Sequence, residues 1–305
     1  MQILSKNKNC NILKMRNEFL NRNNSEVLNR VFSKNTLKSF INGEQPLSYI
    51  TSVTRYIKDS NGTNYKKISD IYEYLYKNHR NEYCYKNTLL NQLLVNSSIH
   101  NLKTTTALTE INVNKSKPDF VLINGKSVVY EIKTGLDNFE RLEGQLNDYY
   151  KAFDNVIVIT DICNVEGLIK ILQNFKYAGI SVLGDDKRIL EIKPPEPVRD
   201  FLDIQTMFKI LRKYEFENIV MQYYNFLPDV SQFKYYDACF ELIKAINIDD
   251  FFALFKSELK KRAVIIEEDF LAVPDELKML AYFSELKKKD YVKLDLFLNK
   301  PYLML

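Results

Sequence analysis

The chain has 305 residues, of which 46% are hydrophobic and 13% aromatic; this is enough apolar surface for a packed core and excludes general disorder. Its two histidines and four scattered cysteines exclude zinc fingers and histidine-rich centres, so any bound metal must be held by carboxylates. The net charge of +4 is uneven, because residues 1–100 carry 15 basic and 7 acidic side chains, a net charge of +8, whereas 101–200 and 201–305 carry −2 each.

Long apolar runs are missing from the sequence. None approaches the ~20 residues that a membrane-spanning helix needs. The first residues lack the apolar segment of a signal peptide. We therefore expect a soluble, cytoplasmic protein without a membrane partner.

Residues 1–79 are predicted to form an N-terminal helical region. Apolar residues recur there at helical spacing, in the groups Ile12, Met15 and Phe19, then Val27, Leu28 and Val31, then Ile68, Ile71 and Leu75. The basic side chains of this region are Lys6, Lys8, Lys14, Arg16, Arg22, Arg30, Lys34 and Lys38. They could follow a phosphate backbone, or they could form a solvated helical surface.

Residues 80–195 are predicted to form an α/β core with a mixed central sheet flanked by helices. The predicted helices span 82–95, 137–153 and 165–177, and the predicted strands span 107–113, 119–123, 128–134, 156–160, 180–183 and 188–192. Asn124-Gly125 predicts a tight hairpin between the second and third strands. Three prolines, at positions 194, 195 and 197, end this pattern, and 198–305 is predicted to be a C-terminal helical domain.

The hairpin brings charged residues together. Side chains alternate along a strand, so Glu131 and Lys133 project from one face, and pairing with the preceding strand places Asp119 beside Glu131. Apolar neighbours make this an unfavourable place for three charges unless they bind something. The alternative interpretation is a solvated strand face with a cross-strand ion pair.

Two carboxylates at one position suit a hard divalent cation. Asp119 and Glu131, together with the backbone carbonyl of Ile132, offer the oxygen ligands that Mg²⁺ or Mn²⁺ prefers. Such a metal could activate a water and stabilise charge on a phosphate, while Lys133 orients the water or contacts the phosphate. The residues therefore predict metal-assisted phosphodiester hydrolysis.

Pro118-Asp119, eleven intervening residues and Glu131-Ile132-Lys133 resemble the signature of the PD-(D/E)xK nuclease superfamily. The core of that superfamily runs helix, three strands, helix, strand, which is the order predicted for residues 80–160. A group of bacterial members is similar in two further motifs, the helix start Glu82-Tyr83-Cys84-Tyr85-Lys86-Asn87 and the run that contains Arg141-Leu142, Gln145-Leu146 and Tyr149.

The resemblance implies roles for these residues. Asp119 and Glu131 would be metal ligands and Lys133 the catalytic lysine. Glu82 matches an acidic residue that contacts a metal-bound water, and Gln145 and Tyr149 reproduce a QxxxY spacing on the helix after the sheet hairpin.

Some of these assignments remain open. Glu110, on the first predicted strand, competes with Glu82 for the additional acidic role, and Tyr149 also fits an apolar helix stripe and could be a core residue.

The expected function is that of a Mg²⁺- or Mn²⁺-dependent nuclease, with nucleic acid as partner and DNA favoured over RNA. The resemblance also suggests defence against foreign DNA or mobile-element biology. The alternative is a nucleic-acid-binding or regulatory protein that keeps the fold without turnover. In either case the helical regions could bind a protein partner or a second copy of the chain.

Overall fold

A computed structural model describes residues 25–58, 61–95, 102–135, 137–263 and 265–303 of the protein. The predicted helix around Ile12 and the basic side chains of residues 1–24 lie outside these described residues, as does His100.

The described chain forms helices on both sides of one sheet. The helices before the sheet are α1 (Ser25–Val31), α2 (Lys34–Ile41), α3 (Leu47–Tyr56), α4 (Asn64–Asn78) and α5 (Glu82–Leu90). Those between strands are α6 (Leu142–Tyr149) and α7 (Val165–Ile171). Those after the sheet are α8 (Ile204–Ile210), α9 (Lys213–Tyr224), α10 (Gln232–Lys244), α11 (Ile248–Lys260), α12 (Glu267–Leu271), α13 (Lys278–Tyr282) and α14 (Lys288–Asn299).

The sheet has six strands whose order in space follows their order in the chain. They are β1 (Thr106–Leu108), β2 (Phe120–Asn124), β3 (Lys126–Lys133), β4 (Asn155–Thr160), β5 (Gly179–Leu183) and β6 (Ile189–Lys193). β3, β4 and β5 are parallel neighbours, whereas β1 with β2, β2 with β3 and β5 with β6 are antiparallel. The predicted α/β class with a mixed sheet flanked by helices is confirmed.

The hairpin between β2 and β3 turns where the sequence predicts it. Gly125 has a φ of +62°, a left-handed conformation that glycine adopts without steric cost. The register pairs Phe120 with Tyr130 and Asn124 with Lys126. Asp119 therefore lies next to the first paired residue of β2, directly across from the position of Glu131.

Four predicted elements differ from the structure by several residues, one of them the helix predicted over 165–177, which ends as α7 at Ile171. The first strand ends at Leu108 instead of 113, because Glu110 adopts a left-handed φ of 62° that a strand cannot accommodate. The helix predicted over 137–153 is confined to α6, since residues before it form a turn in which Asp137 accepts hydrogen bonds from Thr134. In place of the single helix predicted over 82–95, the structure has α5, which ends at Leu90, followed by one π-helical turn, Asn91–Val95.

Each face of the sheet covers a separate hydrophobic core. One core joins α1–α5 and α12–α14 to alternate strand residues that include Phe120, Tyr130 and Ile132. The other joins α6–α11 to the opposite face, which includes Val121 and Val129. The helices that follow the sheet thus divide between the two faces.

None of the helices in the described ranges is both long enough and apolar enough to cross a membrane.

Candidate functional site

Strand β3 carries two charged side chains into the core. Tyr130 and Ile132 pack on the face of α1–α5, so Glu131 and Lys133 project to the opposite face with Val129. Glu131 is only 2% exposed and Lys133 8% exposed. Buried ionised groups are costly unless they are paired and hydrogen-bonded, so the interpretation as a solvated strand face does not describe these two residues.

Helix α6 supplies the hydrogen-bond partners of Glu131. Gln145 Nε2 donates to Glu131 Oε1 at 2.5 Å, and Tyr149 Oη donates to Glu131 Oε2 at 2.6 Å. Gln145 and Tyr149 lie one turn apart, with the stripe of Leu142 and Leu146 packing α6 against the same core. Both residues of the predicted QxxxY pair therefore contact the same carboxylate.

Lys133 closes this network. Its Nζ lies 3.0 Å from Glu131 Oε1 and donates to Gln145 Oε1 at 2.8 Å. An ammonium group has three N–H donors, and these two contacts use two of them. Among the described residues no other acceptor pairs with Lys133 Nζ, which leaves the third N–H for a ligand such as a water or a phosphate oxygen.

Tyr149 is a donor to Glu131 over the whole physiological pH range. Burial, and then the neighbouring Glu131 carboxylate, raise the pKa of the Tyr149 hydroxyl well above its usual range. The hydroxyl stays protonated and holds Glu131 in one orientation. Tyr149 is thus buried in the core and also contacts the site, so the two interpretations of its sequence position do not exclude each other.

Replacing Tyr149 with Phe is expected to lower the free energy of unfolding by about 1–3 kcal/mol, because a buried carboxylate loses a donor. Tyr150→Phe is the matched control, since the Tyr150 hydroxyl is also buried but has no side-chain hydrogen-bond partner among the described residues. Urea unfolding of both variants beside the wild type measures the difference. Equal losses in the two variants would contradict the role assigned to the Tyr149 hydroxyl.

Asp119 directly precedes β2, and its carboxylate contacts the neighbouring strand β3. Its Oδ2 accepts a hydrogen bond from the backbone N–H of Ile132 at 2.8 Å. The N–H and C=O of one strand residue point to the same edge, so the predicted Ile132 carbonyl ligand faces the Asp119 side of β3. The structure therefore brings together Asp119, Glu131, Lys133 and Ile132.

The carboxyl of Asp119 is buried close to two other carboxyl groups. Burial, then Glu131, then Glu82 raise the pKa of the Asp119 carboxyl to about 7. A carboxyl group with this pKa is only partly ionised at neutral pH. A cation at the site would offset the repulsion from Glu131 and Glu82.

Helix α5 brings Glu82 to this position. Asn81 caps the helix by accepting a hydrogen bond from Cys84 N, which places Glu82 in the first turn. Glu82 forms an ion pair with Lys86 one turn later, and Lys86 Nζ also lies 3.7 Å from Asp119 Oδ1. The i,i+4 spacing of Glu82 and Lys86 is typical of a surface ion pair, so the sequence does not indicate the contact of Lys86 with Asp119.

Glu110 lies at the edge of this cluster, where Lys117, and more weakly Lys86, lower the pKa of its carboxyl. It follows β1 instead of belonging to it, its side chain is 70% exposed, and it forms an ion pair with Lys117 at 2.7 Å. Glu82 is among the largest causes of the raised pKa of Asp119, and Glu110 is not. Of the two candidates for the additional acidic role, the structure places Glu82 next to Asp119.

The connection that leads to Asp119 is fixed to α6 by a residue that the sequence pattern did not single out. Ser116 Oγ donates to Asp148 Oδ2 at 2.7 Å, and Asn114 Nδ2 donates to Asp148 Oδ1 at 3.3 Å. Asp148 directly precedes Tyr149. One helix therefore holds both the Glu131 carboxylate and the segment before Asp119.

The described side chains of the site are not arranged as a complete set of metal ligands. In the ranges that the structure describes, no group of three or more His, Cys, Asp or Glu side chains is placed to hold a metal ion. Lys86 lies between Glu82 and Asp119, and both oxygens of Glu131 have donors. The donors are nonetheless of the chemical type that a hard cation takes, because the carboxylates offer oxygen atoms and, among the described residues, Asp119 Oδ1 has no ion pair or hydrogen bond other than the 3.7 Å contact with Lys86.

A comparison with protein families matches residues 76–276 to the family described as Bacteriophage P4 protein cII. The chain belongs to the bacteriophage P4 protein cII family. The part matched to this family begins within α4 and contains the sheet and all the residues of the candidate site. No curated protein and no solved structure matches the chain.

Proposed function

We propose that the protein is a nuclease that hydrolyses phosphodiester bonds of DNA with Mg²⁺ or Mn²⁺. The observation that carries this proposal is the buried contact network of Glu131, Lys133, Gln145 and Tyr149 beside the carboxyl of Asp119. A purely structural strand has no need for a carboxylate and an ammonium group in this position. Perturbed titratable groups held this way are typical of catalytic sites.

Each residue of the candidate site would have a separate role in such a reaction. Asp119, Glu131 and the Ile132 carbonyl would hold the divalent cation, with Glu82 beside them, and the cation would supply charge stabilisation and a water of lowered pKa. Gln145 and Tyr149 keep Glu131 in place, and Gln145 also orients Lys133. The third N–H of Lys133 would donate to the attacking water or to the phosphate oxygen that gains charge.

Two further observations support the proposal. Helix α5, strands β1 to β3, helix α6 and strand β4 follow the order that the PD-(D/E)xK resemblance implies. Membership of a family named for a phage protein supports a role in mobile-element biology or in defence against foreign DNA.

Incubating the purified protein with linear, circular and single-stranded DNA and with RNA tests this function. We expect cleavage of DNA with Mg²⁺ or Mn²⁺ and none with EDTA. The double variant Asp119→Ala/Glu131→Ala, purified in the same way, controls for contaminating nucleases and should be inactive. Cleavage that persists in EDTA or in the double variant would contradict the proposal.

The second candidate function is a nucleic-acid-binding or regulatory protein without turnover. The ion pairs Lys133–Glu131 and Lys86–Asp119 favour it, because they partly balance the carboxylates without a metal. A salt-dependent DNA-binding assay separates the two. Binding that is unaffected by EDTA, with no product under any metal, would favour the second candidate.

A further inference from the structure

The space between Glu82 and Asp119 contains an ammonium group of the protein itself. Lys86 Nζ forms an ion pair with Glu82 Oε1 and lies 3.7 Å from Asp119 Oδ1. The Lys86 side chain is only 14% exposed, so solvent and salt screen its charge weakly. The carboxylate of Asp119 therefore already has a cation of the protein beside it.

Helix α5 fixes Lys86 in this position. Glu82 and Lys86 lie one turn apart on the same side of the helix, while Tyr85 and Leu89 are fully buried in the core. The helix cannot turn Lys86 away without exposing those core residues. The Lys86 side chain can nevertheless shift toward Glu82, whose side chain is half-exposed.

A divalent cation that binds Asp119 meets the like charge of Lys86 at close range. A charge within about 4–6 Å of a carboxylate changes the binding of another cation, the proton, by about 1–3 pKa units. The effect on a metal ion has the same origin and the same direction. It lowers the affinity of the site for metal unless Lys86 moves.

We propose that Lys86 is a tethered cation that competes with the divalent metal for Asp119 and so sets the metal concentration at which the site fills. This inference rests on the proposed function, because it requires the metal to bind at Asp119. In the metal-free protein, Lys86 neutralises part of the charge of Glu82 and Asp119. On metal binding, its ammonium remains paired with Glu82 alone.

Titration with Mn²⁺ by calorimetry tests the inference. Lys86→Met should bind Mn²⁺ about tenfold more tightly than the wild type. Lys86→Gln, which keeps a donor for Glu82, is a second variant and should show the same direction of change. Lys86→Arg keeps the charge and should bind as the wild type does, within about twofold.

Lys117→Met is the matched control. Lys117 lies two residues before Asp119 in the chain, but its ion pair is with Glu110. Removing its charge should leave Mn²⁺ affinity within about twofold of the wild type.

The outcomes separate this inference from the proposed function. Saturable Mn²⁺ binding by the wild type, with equal or weaker binding by Lys86→Met and Lys86→Gln, would overturn the competition and leave the metal centre intact. No saturable binding by the wild type or by any variant would overturn both. Tighter binding by Lys86→Met but equally by Lys117→Met would show a diffuse charge effect and would also overturn it.

Discussion

Lys133→Met is expected to reduce the rate of DNA cleavage by at least about 10³-fold, because it removes the donor that would contact the attacking water or the phosphate. The methionine side chain keeps much of the volume of the lysine stem. Glu131 retains its hydrogen bonds from Gln145 and Tyr149. We therefore expect a folded variant whose free energy of unfolding is lower by about 2–4 kcal/mol.

Lys126→Met is the control for this variant. Lys126 begins the same strand, β3, but its side chain is exposed at the hairpin. Single-turnover cleavage rates and urea unfolding of the two variants measure activity and stability separately. Metal-dependent cleavage at the wild-type rate by Lys133→Met would contradict the role of Lys133.

Asp119→Asn is expected to make the protein more stable at neutral and alkaline pH while abolishing cleavage. The carboxyl of Asp119 has a pKa of about 7 in the folded chain and an ordinary value of 3.8 when unfolded. Between these values the folded chain binds a proton that the unfolded chain releases. The contribution of Asp119 to the free energy of unfolding therefore falls as pH rises through this window. Asparagine, which does not titrate, can still accept the hydrogen bond from Ile132 N.

Urea unfolding at several pH values, in EDTA, measures this effect. The stability of Asp119→Asn should match that of the wild type near about pH 4 and exceed it by about 2–4 kcal/mol near about pH 8. Asp148→Asn is not a suitable control, because Asp148 fixes the segment before Asp119. Asp237→Asn, on the exposed side of α10, is suitable and should show no such pH-dependent gain. A wild-type advantage at about pH 8 would contradict the raised pKa of Asp119.

Much of the sheet could be predicted from local pattern. The strands show continuous or alternating apolar residues, and Asn124-Gly125 marks the turn between β2 and β3. A two-residue Asn-Gly turn would pair Ile123 with Lys126, whereas the structure pairs Asn124 with Lys126 and so places Asp119 across from Glu131. The sequence therefore predicted that Asp119 and Glu131 lie on neighbouring strands, but not the register of the pairing. The contacts of Gln145 and Tyr149 followed only from the resemblance, because periodicity alone assigns Tyr149 to the core.

The other features of the fold and of the site depend on packing between segments that are far apart in the sequence. Lys86 has the i,i+4 spacing from Glu82 that is typical of a solvated pair, and only the position of α5 against β2 places it at Asp119. The early end of β1 depends on the left-handed conformation of Glu110, which the strand-like sequence there does not indicate. The division of the last helices between two sheet faces likewise has no signal in a periodic pattern.

In the proposed nuclease, Asp119 and Glu131 hold the metal that a hydrolytic site needs. The most direct measurement is the anomalous scattering of Mn²⁺ in crystals of the full chain grown at a Mn²⁺ concentration that supports cleavage. We expect a peak in contact with carboxylate oxygens of both Asp119 and Glu131. A structure at that concentration with no peak at these two residues would contradict the account.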